Sequence, residues 1–205
     1  IDLFGMENFY IKMYEEPELV DAVMMHVTDY HVEVNRRIFE SAGGAIDIFF
    51  FGNDFGCQNG PLISPDLFER FILGSLKRLI DLGHDFSLPV MLHCCGGIEP
   101  LIPQMVDVGL DALQSVQPSC RDMDLAALKS KYGRHIVFNG GIDSHHVLID
   151  GDVETVRRNT AETLKIMMPD GRYIASASHN SILEETPVEN VLAMCDTVRE
   201  YGVYR

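Results

Sequence analysis

The sequence predicts an α/β fold in which five strand–helix units build a parallel sheet. Five short apolar runs alternate with longer amphipathic segments along the chain. The short runs are apolar at both odd and even positions, which is typical of strands covered on both faces. A strand followed by a helix, repeated in this way, indicates right-handed crossovers between parallel strands.

The five apolar runs are short enough for strands and too short for typical helices. Pro89 stands near the start of its run, where a missing N–H is tolerated. The predicted strands cover residues 46–52, 89–94, 112–116, 135–139 and 173–177.

The helical segments carry recognisable start and stop signals. Ser64, followed by a proline, is a good N-cap, and Thr186 with Glu189 fits a capping box. Glycines after periodic segments predict helix ends at positions 83, 109 and 133. The predicted helices cover residues 18–41, 65–82, 98–108, 125–131 and 153–168, with a last helix that starts at 186–189.

The order of elements fits either an open doubly wound sheet or part of a barrel. The glycines of GNDFGCQNG (52–60) do not have the G-x-G-x-x-G spacing of a dinucleotide-binding loop. This disfavours a dinucleotide site but leaves both architectures open.

Composition limits the class of partner. The 205 residues form one predicted domain, 1–205, with a formal net charge of −15. This charge disfavours binding to nucleic acid or to an anionic membrane surface. The first residues do not resemble a signal peptide, and five irregularly spaced cysteines suggest reduced thiols. We therefore expect a cytoplasmic protein.

Polar side chains follow every predicted strand. In βα architectures, functional groups gather beyond the carboxyl ends of the strands. The candidates, in chain order, are Asp54 and Gln58, then His93 and Cys95, then Gln114, then Asn139 and Asp143, and finally His179.

The most specific local pattern is His93-Cys94-Cys95. Side chains at positions i and i+2 of a strand point to the same side, so His93 and Cys95 can bind one ion while Cys94 points away. An imidazole and a thiolate suit Zn²⁺. His179 is the predicted third ligand, and Asp54 is either a fourth ligand or a carboxylate that orients one. Alternatively, the two cysteines are small buried side chains and His93 is a satisfied polar residue.

The other candidates also have two interpretations. Asp54 and Asp143 precede helices, so each is either a functional carboxylate or a cap. We expect Asp54 and His179 to be catalytic, and Gln58, Gln114, Asn139 and Asp143 to bind substrate. The alternative for Gln114 and Asn139 is that they orient loops.

Four segments together resemble the uroporphyrinogen decarboxylase superfamily, which includes cobalamin-dependent methyltransferases. The likeness covers nearly the whole chain. Its strongest points are FGNDFGCQNGPLISP (51–65), VMLHCCGGIEPLIPQMVDVGLDALQSVQP (90–118), FNGGID (138–143) and SHNSILEETPVENVLAM (178–194).

The resemblance implies a (β/α)₈ TIM barrel, of which this chain would supply the C-terminal five units, with the first three units absent. A second copy or a partner chain would then cover the sheet edges and complete the barrel. A homo-oligomer is one such arrangement.

The resemblance implies two activities. In the methyltransferase branch, an H-x-C pair and a later Cys bind zinc for methyl transfer from a corrinoid; His93 and Cys95 match the pair, but the later segment contains His179 instead. That histidine is similar to the Gly-His-Gly segment of the decarboxylase branch. We therefore expect a zinc-dependent methyltransferase acting with a corrinoid protein or a small methyl donor or acceptor. The alternatives are a carboxy-lyase of tetrapyrrole biosynthesis and a non-catalytic binding fragment.

Overall fold

The computed structural model describes residues 3–204, which are built around a five-stranded parallel sheet. A separate two-stranded antiparallel hairpin, β2–β3, follows the first strand. The strands are β1 (Phe49–Gly52), β2 (Gly56–Cys57), β3 (Gly60–Pro61), β4 (Val90–His93), β5 (Ala112–Val116), β6 (Val137–Ile142) and β7 (Tyr173–Ala177). The sheet order is β1-β4-β5-β6-β7, so its strands are neighbours in chain order.

The predicted parallel strands and α/β fold are confirmed, with different bounds for three strands. β1 begins at Phe49 rather than at residue 46, and β4 covers Val90–His93 rather than 89–94. β6 covers Val137–Ile142 rather than 135–139, so it continues past Gly140. A Cβ at Gly140 would lie 2.6 Å from the backbone nitrogen of Val116. This glycine therefore marks a close approach of β5 to β6 rather than a strand end.

Helices follow each strand of the parallel sheet, and α1 is a helix that the sequence analysis missed. Helices α3 and α4 form one continuous segment through a π-helical turn, Glu69–Leu73, and a 3₁₀ turn, Glu99–Leu101, leads into α5. A second π-helical turn, Ser144–Ile149, follows β6. The α-helices are α1 (Met6–Glu15), α2 (Pro17–Ala42), α3 (Pro65–Phe68), α4 (Gly74–Asp85), α5 (Ile102–Asp107), α6 (Leu125–Tyr132), α7 (Val153–Met167) and α8 (Val188–Tyr201).

Helix-end signals were only partly correct. Ser64 caps α3 as predicted, because its side chain accepts a hydrogen bond from the Leu67 N–H. The capping box at Thr186 is wrong: Pro187 is the N-cap of α8 and makes no side-chain cap. Gly83 does not end α4, which continues to Asp85. A Cβ at Gly83 would lie 2.4 Å from Cγ2 of Val90, so glycine allows the helix to pack closely against β4.

The helices cover one face of the parallel sheet. Phe49, Leu92 and Phe138 are buried on that face, in the main hydrophobic core. On the opposite face, Phe50 is 48% exposed and Ile174 is 45% exposed. Strand alternation places His93 on this more open face, close to the carboxyl end of β4.

Within residues 3–204, the structure contains no helix that is both long and apolar enough to cross a bilayer.

Candidate metal centre

Three potential ligands from two neighbouring strands meet at the carboxyl edge of the sheet. His93 is the last residue of β4, and Cys95 lies two positions beyond it. Asp54 lies two positions beyond the end of β1. The register pairs Gly52 with His93, and the Asn53 N–H continues the pairing by donating to the His93 carbonyl at 3.0 Å. The sheet register itself therefore brings Asp54 to the His93–Cys95 pair.

The distances between these side chains fit a shared ion. Cys95 Sγ lies 3.3 Å from His93 Nε2, and His93 Nε2 lies 3.6 Å from Asp54 Oδ1. All three ligand atoms lie within 4.8 Å of one another. Tetrahedral zinc bonds of the usual length separate neighbouring ligand atoms by about 3.4–3.8 Å. The donor set and its spacing therefore fit zinc.

The loop backbone holds the carboxylate in place. The Cys95 N–H donates a hydrogen bond to Asp54 Oδ1 at 2.8 Å. Asp54 is exposed, so its second oxygen can face the open side of the sheet. Asp54 is therefore attached to the same short segment that supplies the other two ligands.

The two adjacent cysteines have different environments. Cys94 is fully buried in the core, and its Sγ accepts a hydrogen bond from the Phe55 N–H at 3.3 Å. Burial raises the pKa of the Cys94 thiol to about 12. The prediction that Cys94 points away from Cys95 is confirmed, and Cys94 is a core side chain.

The Cys95 thiol is partly buried and remains protonated more readily than an exposed thiol. Burial is the main cause of its raised pKa, and the negative charge of Asp54 raises the pKa further. A bound cation would supply the opposite charge and favour the thiolate. The site is therefore electrostatically suited to a cation.

Two residues of the neighbouring strand β5 contact the side chains of His93 and Cys95. Gln114 is buried, and its Oε1 is hydrogen-bonded to Nδ1 of His93. Ser115 Oγ lies 3.9 Å from Cys95 Sγ and donates to the Ser178 carbonyl at 3.1 Å. The register of β5 against β6 shifts between Gln114 and Val116, and both successive side chains reach the site. Ser115 was not among the predicted site residues, because a single serine carries no distinguishing signal.

Glycines allow the β2–β3 hairpin to pack closely against the loop that follows β4 and carries Cys95. A Cβ at Gly56 would lie 2.8 Å from the Cys95 carbonyl oxygen. Gly96 has a φ of +94°, and a Cβ there would lie 2.6 Å from the Cys57 nitrogen. The glycines at 56 and 96 were a usable signal for this contact between loops.

The structure does not bring His179 into the group of potential ligands. Among residues 3–204, that group consists of Asp54, His93 and Cys95. His179 Nδ1 instead lies 3.2 Å from the Ser181 carbonyl oxygen, within its own loop. The predicted set of His93, Cys95 and His179 is therefore not assembled in this structure, because the β7 loop makes local contacts. Asp54 is the third side chain that reaches the other two.

The remaining predicted substrate-binding residues lie apart from this group and make their own contacts. Asn139 Oδ1 accepts a hydrogen bond from Ser176 Oγ at 2.6 Å. Asp143 is the N-cap of the π-helical turn, and its Oδ1 accepts from the His145 N–H at 2.9 Å. Gln58 is exposed in the turn of the β2–β3 hairpin. The capping alternative is thus correct for Asp143, whereas Asp54 joins the ligand group.

Comparison with known proteins agrees with this architecture. A solved structure described as a methyltransferase from Methanosarcina mazei superposes with a TM-score of 0.75 at 21% identity, covering 98% of this chain and 55% of that chain. The likeness supports an α/β fold consistent with part of a TIM barrel.

Curated relatives fall into two enzyme classes. A methylated-thiol–coenzyme M methyltransferase of Methanosarcina mazei is 25% identical over 97% of this chain and 53% of its own length. A methylcobamide:CoM methyltransferase of Methanosarcina barkeri is 26% identical over 68% of this chain and 38% of its own length. A uroporphyrinogen decarboxylase of Syntrophotalea carbinolica is 25% identical over 91% of this chain and 50% of its own length.

The chain spans about half the length of the relatives that it matches over most of its own length. The family model for uroporphyrinogen decarboxylase (URO-D) matches residues 3–201. The chain therefore belongs to the uroporphyrinogen decarboxylase family.

Proposed function

We propose that this chain carries the zinc site of a methyltransferase that moves a methyl group between a corrinoid and a small thiol. The convergence of Asp54, His93 and Cys95 within 4.8 Å is the observation that carries the proposal. The relatives named as methyltransferases act on methylated thiols or on methylcobamide, which supports the choice of substrate class.

The proposed ligands are Cys95 Sγ, His93 Nε2 and a carboxylate oxygen of Asp54. Three protein ligands are the number that catalytic zinc sites use. Zinc held by these residues would supply Lewis acidity and would lower the pKa of a substrate thiol. The other oxygen of Asp54 would accept the proton of that thiol.

The proposed ligands lie at the carboxyl ends of the strands, where enzymes of barrel architecture bind their substrates. His93 is the last residue of β4. A corrinoid, either free or bound to its own protein, would approach the ligands from this end of the sheet. Asn139, within β6, and His179, just beyond the end of β7, are the proposed contacts for the polar edge of the substrate.

A carboxy-lyase acting on a tetrapyrrole is the second candidate. It is favoured by the uroporphyrinogen decarboxylase relative and by His179, which stands outside the ligand group. In that function His179 contacts the substrate and no metal is needed. Metal content and substrate therefore separate the two candidates.

The test begins with elemental analysis of the purified chain after incubation with zinc and removal of excess metal. We expect about one zinc per chain, retained in Cys94→Ala and lost in Cys95→Ala, because only Cys95 faces the other ligands. Circular dichroism establishes that each variant is folded.

Activity is then measured with a free methylated corrinoid and a small thiol, and separately with a uroporphyrinogen. Zinc binding together with corrinoid demethylation supports the methyltransferase. A folded chain that binds no zinc but decarboxylates the uroporphyrinogen contradicts it and supports the second candidate.

A further inference from the structure

Gln114 lies directly opposite His93 across the β4–β5 ladder. The parallel register pairs these two residues. The side chain of Gln114 is only 9% exposed, and its Oε1 is bonded to Nδ1 of the imidazole. The Cys94 N–H also donates to the Gln114 backbone carbonyl, which fixes the strand beside the loop that carries Cys95. The position of the amide relative to the ring is therefore set by the sheet.

This contact determines which ring nitrogen is available to a metal. A carboxamide oxygen only accepts hydrogen bonds, so Nδ1 must carry the hydrogen. In a neutral imidazole, the lone pair is then on Nε2. Nε2 is the nitrogen that lies 3.3 Å from Cys95 Sγ and 3.6 Å from Asp54 Oδ1.

We propose that Gln114 is a positioning residue of the metal centre, which holds the His93 ring with Nε2 directed at the ion. The inference rests on the proposed function, because it assigns a role within the same zinc site. It replaces the expectation that Gln114 binds substrate, since its oxygen is already engaged with His93.

The choice of an amide also has an electrostatic consequence. Zinc with one thiolate and one carboxylate has a net charge of zero. A neutral amide behind His93 preserves that balance, whereas a carboxylate there would add a negative charge to a partly buried site. Partners that orient a histidine ligand typically contribute about 10–100-fold to metal affinity.

Competition with a coloured chelator measures the zinc affinity of the chain and its variants. Gln114→Met keeps the length of the side chain but loses the acceptor, and we expect zinc binding about 10–100-fold weaker. Gln114→Glu keeps an acceptor for the Nδ1 hydrogen and should bind zinc more tightly than Gln114→Met. Gln104→Met is the matched control, because Gln104 also makes a single side-chain hydrogen bond, which it donates to the Pro65 carbonyl at 3.2 Å, but lies outside the site.

A second measurement uses the unaltered chain and so does not depend on a variant that folds. Nitrogen NMR of the histidine-labelled, zinc-free chain, at a pH where imidazole is neutral, should show the hydrogen of His93 on Nδ1. A structural role of Gln114 alone would not fix this tautomer. A hydrogen found on Nε2 would overturn the inference.

The outcomes separate the two proposals. If the wild-type chain binds zinc and the folded Gln114→Met variant binds it equally tightly, the positioning role is wrong and the zinc site stands. If the folded wild-type chain binds no zinc, the proposed function fails, and the positioning role fails with it.

Discussion

The carboxyl edge of the sheet has two halves that look alike in sequence and differ in structure. Beyond β1 and β4, the side chains of Asp54, His93 and Cys95 face one another. Beyond β6 and β7, Asp143 caps a helical turn and His179 contacts Ser181. Polar residues at strand ends are therefore common to both halves, and only one half assembles them into a group with the spacing of a metal site.

The difference has a local cause. In the first half, the chain leaves β1 and β4 in loops rather than helical turns, and the N–H of one candidate ligand, Cys95, donates to the carboxylate of another, Asp54. In the second half, the π-helical turn starts directly after Asp143, and its unpaired N–H groups take the nearest carboxylate. The short connection after β6 thus uses the Asp143 side chain as a cap.

Replacing the histidine of each half by alanine should reveal the largest difference in zinc affinity. We expect His93→Ala to abolish measurable zinc binding, because the variant loses one of three protein ligands, and His179→Ala to leave the affinity within about threefold, because no zinc ligand is removed. Chelator competition on both folded variants makes the measurement. Loss of zinc in His179→Ala would show that the β7 loop moves to join the site and would erase the difference between the halves.

The sequence predicted the sheet and half of the site well, for physical reasons. The strands are long enough for apolar content to mark them, and the period of two correctly separated Cys94 from Cys95. Asp54 was predicted only as a fourth ligand or an orienting carboxylate, because its place beside His93 depends on the register of β1 against β4, which local sequence does not set. Gln114 looked like a substrate contact since nothing in the sequence shows that it faces His93.

The two aspartates offer a second, smaller contrast. Asp143→Ala should lower the free energy of unfolding by about 1–2 kcal/mol, because the N-cap is lost, and should leave zinc affinity unchanged. Asp54→Ala should weaken zinc binding by at least tenfold and lower the free energy of unfolding of the zinc-free chain by about 0.5–1 kcal/mol, because the exposed hydrogen bond to the Cys95 N–H is lost. Urea unfolding of the zinc-free variants and chelator competition measure the two quantities. An equal loss of zinc affinity in Asp54→Ala and Asp143→Ala would contradict the difference between the two halves.

The smallest expected effect distinguishes the two adjacent cysteines within the first half. The pKa of Cys94 rises from 9.0 to about 12 on folding, because the thiol is buried. The folded chain therefore binds one more proton than the unfolded chain between these values. The stabilisation from this thiol is complete below pH 9 and is lost as the pH rises through 12.

Urea unfolding of the zinc-free chain at pH 9 and pH 10 tests this titration. Over that interval, Cys94 should lower the free energy of unfolding by about 1 kcal/mol. Cys94→Ala removes the titrating group, so its stability should fall less steeply with pH, whatever its stability at pH 7. Cys57→Ala is the control, because it removes an exposed thiol and leaves the contribution of Cys94 to the slope in place. Equal slopes in wild type and Cys94→Ala would mean that Cys94 is not the protonated core thiol that the strand alternation requires.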